Sequence, residues 1–221
     1  MINQTDTSPI LLEPSRIHLP LVIIIDNSSN MNEFRLAQLN DSLNNFIETI
    51  AKDDYQSKIV DLLILSIYDS NALTSKFMPA CLQTNEQIKI GNSISISYDS
   101  VNEMIRERTR FYSMCGIPIF KVQIFFFTSE KGYADVRDIL KIEKFCENTK
   151  YRVNLVGTNE CSQDTFKDVL ASKIVLVNDD FRECFKWIKS EYFEEFFCHF
   201  SFVMNGGYTY IPDCFKIIKD S

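Results

Sequence analysis

Three polar stretches collect the oxygen-bearing side chains that could do chemistry: Asp26-x-Ser28-x-Asn30, Gly91-Asn92-Ser93 and Thr128-Ser129. The first and third each follow an apolar run. Proteins hold magnesium with hard oxygen ligands from separate loops, one or two of them carboxylates and the rest neutral groups and water. Spacing of i, i+2, i+4 on a loop between a strand and a helix turns alternate side chains toward one point. The same residue types also cap helices and build turns, so the pattern by itself leaves both a cation site and ordinary loop structure open.

Other chemistries are poorly served. There are six glycines and no G-x-G-x-x-G or Walker run, which argues against a dinucleotide or phosphate cradle. No G-x-S-x-G elbow is present, and neither His18 nor His199 follows a strand as a serine hydrolase would require. Two histidines without Cys-His spacing make a zinc site improbable. The seven cysteines are odd in number, scattered and free of any C-x-x-C pair, and read as reduced, buried thiols of a cytosolic protein. A net charge of -7 disfavours a broad surface for nucleic acid or anionic lipid. The apolar runs 19–25 and 124–127 fall short of the roughly 20 residues a bilayer requires. Residues 1–15 lack the basic and apolar regions of a secretory signal, so the expected location is cytoplasmic.

The loops need elements to position them. Residues 21–25 are uninterrupted and rich in branched aliphatics, as in a parallel strand covered on both faces. Residues 34–50 place Leu36, Leu39, Leu43, Phe46, Ile47 and Ile50 at helical spacing behind a helix start at Met31 or Asn32. Further strands are predicted at 59–68, 121–127, 151–157 and 173–177. Helices are predicted at 94–110, 134–148, 163–171 and 180–197, the last capped by Asn178 or Asp179. A short antiparallel edge strand is expected at 72–78, and an extended piece at 88–90 leading into a turn at 91–93. Alternating strands and helices predict an α/β fold: a doubly wound, Rossmann-like, mostly parallel sheet with one antiparallel edge strand and helices on both faces. At 221 residues, one domain is sufficient. The expected division is a flexible leader at 1–16, the domain at 17–202, and an extension at 203–221 with no assigned structure.

The segment 19–31, LPLVIIIDNSSNM, resembles the first strand and Asp-x-Ser-x-Ser-Met loop of the von Willebrand factor type A family. The helix 36–46, the strand 61–68, Gly91-Asn92-Ser93-Ile94 (like Gly-Thr-Ser-Leu), residues 125–130 (like an apolar strand ending in Thr-Asp-Gly) and the closing helix 181–188 follow in the family's order. The resemblance spans roughly 17–192 and is closest to the bacterial tellurite-resistance TerY-like branch. In that family the loops form a metal-ion-dependent adhesion site, where a magnesium keeps an open position for a partner's acidic residue. Carried over, Asp26 and Ser28 match, Asn30 replaces the second serine, Asn92 the threonine, and Ser129 the second aspartate. With one carboxylate left, Asp69 and Glu130 are the nearby acids that could restore charge, and the expectation is a degenerate site at which Mg2+ binds weakly if at all.

The resemblance implies a non-enzymatic protein-binding module. Its partner would be another protein, a kinase or a metal-dependent phosphatase of a tellurite-resistance or stress-response system, with no nucleic acid and no membrane. The competing reading is an α/β enzyme using Asp26 as metal ligand or base for phosphoryl transfer, against which stands the lack of a companion acid, lysine or histidine at a motif position. The aromatic stretch 191–202 and the loop 111–118 are candidate partner surfaces as well as candidate packing segments.

Overall fold

The computed structural model describes residues 17–28, 32–68, 77–83, 87–91, 94–129, 137–138, 140–158, 161, 163–166, 169, 171–177, 180–200 and 215–220, with backbone only for 81, 163, 165, 192–200 and 215–220. In chain order the elements are β1 (Leu19–Ile25), α1 (Glu33–Ala51), α2 (Gln56–Ile59), β2 (Val60–Ser66), β3 (Met78–Pro79), α3 (Tyr98–Met114), β4 (Val122–Thr128), α4 (Ile142–Glu147), β5 (Tyr151–Thr158), β6 (Lys173–Val177), α5 (Phe181–Phe200) and β7 (Phe215–Asp220). The strands form one sheet in the order β3-β2-β1-β4-β5-β6-β7. The five central strands run parallel, while β3 and β7 are antiparallel to their neighbours.

The doubly wound reading holds, and the packing shows why β1 does not alternate. Leu19, Leu21, Ile23 and Ile25 pack on one face with α1 and α5, whereas Val22 and Ile24 pack on the other with α3 and α4. Each face therefore selects its own apolar set. Phe127 stacks on Phe185 at 5.4 Å and Phe46 approaches Phe185 at 5.2 Å, which ties β4 and α1 to α5. On the opposite face Phe145 meets Tyr98 at 4.7 Å and Phe126 at 5.8 Å.

Several boundaries differ from the sequence expectation, each for a local reason. The helix expected at 94 begins at Tyr98, because Ser97 and Ser100 form a reciprocal capping box and Ser95 is held against β2 by its backbone N–H and hydroxyl. The helix expected over 134–148 does not continue through Lys141, whose φ of 45° lies in the left-handed region. The cap of α5 is Asp180, whose carboxylate accepts from Glu183 N–H at 3.0 Å; Asn178 and Asp179 lie outside the described residues. The edge strand β3 contains Pro79, which the sequence reading placed just past its end. In the expected extension, β7 adds a second antiparallel edge beside β6. Of the four cysteines whose side chains are described, Cys161 and Cys184 are buried as expected, but Cys115 is exposed at the end of α3. No described helix is long and apolar enough to cross a membrane. The proposed leader, 1–16, lies outside the described residues.

Two buried ion pairs lock helices to the sheet. Lys173 on β6 meets Glu191 on α5 at 2.6 Å. At the amino end of β2, wholly buried Asp61 accepts from Arg108 Nε and from the Tyr112 hydroxyl, both on α3, while His18 stacks on Tyr112 at 5.6 Å. Burial pushes the Asp61 carboxyl up against the opposing pull of Arg108, Tyr112 and His18. Burial, reinforced by the Asp61 charge, pushes the Tyr112 hydroxyl well up.

Arg108→Met leaves Asp61 buried without its cation and is expected to cost about 3–5 kcal/mol at neutral pH, whereas Arg108→Met combined with Asp61→Leu recovers most of it. The folded Asp61 carboxyl lies above its unfolded value, so its contribution is intact at acid pH and is lost as pH rises through the folded value. The penalty in Arg108→Met should therefore be larger at neutral than at mildly acidic pH. Urea unfolding of both variants at the two pH values measures this; a penalty that does not depend on pH would count against an ionised Asp61.

Candidate functional site

The strand order reverses direction at β1. The chain moves outward from β1 through β2 to β3, then returns to the other side of β1 at β4 and moves outward again. Such a switch point leaves a crevice beyond the carboxyl ends of the two strands. Asp26 leaves β1 here, its N–H bonded to Phe127 O of β4 at 2.9 Å.

The Asp26 side chain is 1% exposed, and both its oxygens are engaged. Oδ1 accepts from Ser28 N–H at 3.1 Å, and Oδ2 accepts from the Thr128 hydroxyl at 3.1 Å. Ser28 is itself buried, and its Oγ has no hydrogen-bond partner. Ser129 is buried on the far wall, immediately after β4. Of the expected set, Asp26, Ser28 and Ser129 thus lie at the carboxyl ends of the adjacent strands β1 and β4. Asn30, Asn92, Asp69 and Glu130 lie outside the described residues. Thr128, which the sequence placed in the constellation without a role, is the group that reaches Asp26.

Sequence reasoning missed the two amides that build the walls. Asn27, wholly buried, accepts from Tyr68 N–H at 2.8 Å through Oδ1, donates to Lys89 O at 2.6 Å through Nδ2, and accepts from Gly91 N–H at 3.1 Å through its carbonyl. One residue therefore ties the loop after β1 to the loop after β2 and to the strip 87–91. From α1, Asn40 holds the same strip by donating to Ile88 O at 2.9 Å and accepting from Ile88 N–H at 2.8 Å. The pairing replaces a strand ladder for a segment that forms no strand. Gly91 is required by this closeness, since a Cβ there would lie 1.2 Å from Tyr68 O. An asparagine after a strand is the only local signal of such a staple, and it is equally the signal of a turn.

The residues present supply little charge for a divalent cation. Asp26 brings one carboxylate whose oxygens already accept two hydrogens, Ser28 brings a free hydroxyl, and no cluster of three His, Cys, Asp or Glu side chains occurs among the described residues. These are oxygen donors of the kind magnesium takes, with Asp26 as the one formal charge among the described members of the set. Three apolar side chains are exposed on the segments next to these loops: Phe34 in the first turn of α1 at 71%, Ile90 at 36% and Ile94 at 56%. Their backbone neighbourhood is pinned, so these side chains are presented from a fixed frame.

No protein-family model and no curated protein matches the chain. Among solved structures, a von Willebrand factor type A protein from Catenulispora acidiphila superposes with a TM-score of 0.50 at 11% identity, covering 80% of this chain and 43% of that one. Proximal thread matrix protein 1 of the mussel byssus matches with a TM-score of 0.44 at 11% identity, over 78% of this chain and 46% of that one. The von Willebrand domain of the type V pili tip protein Mfa5 from Porphyromonas gingivalis gives a TM-score of 0.29 at 15% identity, over 73% and 41%. The chain spans less than half the length of these structures. At such identities the likeness speaks for architecture, and with the strand order it shows that this chain has the von Willebrand factor A-type fold.

Proposed function

We propose that this chain is a non-enzymatic protein-binding module, acting in the cytosol, that engages its partner through the loops at the carboxyl edge of the sheet, where the adhesion site is degenerate. The observation that carries this reading is the exposure of three apolar side chains, Phe34, Ile90 and Ile94, on segments that follow or precede the strand-end loops, beside an Asp26 carboxylate engaged by Ser28 N–H and the Thr128 hydroxyl. In an adhesion site completed by metal, a cation supplies the attraction. Here these side chains offer apolar burial in its place, worth roughly 25 cal/mol per Å² removed from water. Apolar side chains grouped on a fixed surface mark interaction sites more often than scattered ones. The finer placement, in a tellurite-resistance or stress-response system with a kinase or a metal-dependent phosphatase as partner, rests on the resemblance of residues 19–31 and 91–94 to the TerY-like branch.

Phosphoryl transfer at Asp26 is disfavoured by the same geometry. Such chemistry uses several charged groups around the reacting centre, and among the described residues Asp26 has Ser28 N–H and the Thr128 hydroxyl as its partners, with no lysine, histidine or second acid bonded to it.

Three measurements test the proposal. Phe34→Ser together with Ile94→Ser should weaken binding of the candidate kinase or phosphatase at least tenfold, the scale of a lost hot spot, without changing the melting temperature; full binding by this variant would refute their role. Millimolar magnesium is expected to leave the melting temperature unchanged, and a rise that vanishes in Asp26→Ala would show a working metal site. With magnesium or manganese added, no phosphatase activity is expected; turnover abolished by Asp26→Asn would establish the enzyme reading.

A further inference from the structure

A second surface lies at the other end of the sheet. A groove of about 1240 Å³ runs between α3, the approach to β4 at 119–122, and the turn into β5 at 148–151. Four cations line it, Arg106, Arg110, Lys121 and Lys150, against two acids, Glu103 and Glu107. A local excess of positive charge is unexpected on a chain of net charge -7. Arg110, Lys121 and Lys150 are exposed and make no ion pair among the described residues, and Arg106 reaches only Glu103, at 3.8 Å with both side chains exposed. Beyond that one exposed pair, no ion pair among the described residues uses these charges. The buried network at Arg108 explains why its neighbours at 106 and 110 face outward: the helix turns Arg108 inward to Asp61.

We propose that this groove docks an acidic segment of a partner protein in extended conformation. At about 1240 Å³ the groove is larger than the roughly 300–1,000 Å³ of an ordinary small-molecule site, which suits a segment of chain. The span of α3 from Tyr98 to Ser113 is about 22 Å at 1.5 Å per residue, which an extended chain covers in about six or seven residues. Tyr98, Phe120 and Tyr151 supply apolar wall for side chains between the acids. The Tyr151 hydroxyl donates to Asn102 Oδ1 at 2.9 Å, which leaves the Asn102 NH2 without a partner among the described residues and able to donate to a peptide carbonyl. Glu103 and Glu107 disfavour a continuous polyphosphate, because they would face its backbone, whereas a peptide can place its acids away from them. The assignment is independent of the strand-end loops, which lie at the opposite edge of the sheet.

Selection of a displayed library of random heptapeptides on the full chain tests this without foreknowledge of the partner. The expected result is enrichment of Asp and Glu at two or more positions, with affinity of the selected peptides falling at least tenfold in Lys121→Glu with Lys150→Glu and falling as salt is raised. Both substituted residues are exposed, and an unchanged melting temperature shows that the variant is folded. Glu103→Gln with Glu107→Gln should strengthen the same peptides. No acidic enrichment, or enrichment that survives the double charge reversal, overturns the proposal. So does single-stranded DNA binding the groove as tightly as the selected peptides.

Discussion

The carboxyl edge of the sheet depends on one buried amide. Asn27 satisfies its side-chain oxygen, its side-chain nitrogen and its carbonyl with three backbone groups from two other loops. A buried amide group that loses its partner costs roughly 1–3 kcal/mol. The loop after β1 therefore cannot shift without orphaning polar groups on the loop after β2 and on the strip 87–91. Asn40 sets the opposite side of that strip. The exposed apolar side chains and the Asp26 crevice inherit their geometry from these two residues, and irregular backbone at this edge is held as firmly as a strand would be.

At the other end of the sheet, rigidity comes from charge. Asp61, Arg108, Tyr112 and His18 bring β2, α3 and the approach to β1 into one buried contact. A buried ion pair is weak evidence for net stability, because desolvation offsets much of its attraction. Its stronger effect is on register: α3 can seat in only one rotational setting if Arg108 is to meet Asp61. That setting is what delivers Arg106 and Arg110 to the outer surface, so the interior pair dictates where the exposed cations stand.

Most of the architecture was legible because burial on both faces writes itself as composition. β1, β4 and β6 appear as short apolar runs, and α1 as a stripe of aliphatic residues at helical spacing. What was not legible depended on contacts distant in sequence or on backbone choices among near-equal options. The start of α3 was expected at 94 but lies at Tyr98, because Ser95 bonds to Ser66 O and Ile67 O at the end of β2, a contact distant in sequence. The departure from helix at Lys141 has no marker, since lysine is an ordinary helix former. At the candidate site, Asp26, Ser28 and Ser129 could be placed at the carboxyl edge from sequence because each follows an apolar run that forms a strand. Asn27 and Asn40 were passed over because their partners lie 41 to 62 residues away.

The presence of an aspartate at the head of the crevice therefore carries less meaning for metal than its position implies. The carboxylate has work to do in the loop itself. Asp26 closes its own loop through Ser28 N–H and crosses the switch point to Thr128 Oγ1, two interactions that stabilise the fold with or without an ion. Charge-assisted bonds of this kind are worth about twice a neutral one, so the carboxylate has a structural role whether or not an ion is bound. The Ser28 hydroxyl is different: it is buried and unpartnered, and no interaction within the described fold explains it. Between these two side chains, Ser28 and not Asp26 is the one whose state reports whether anything occupies the crevice.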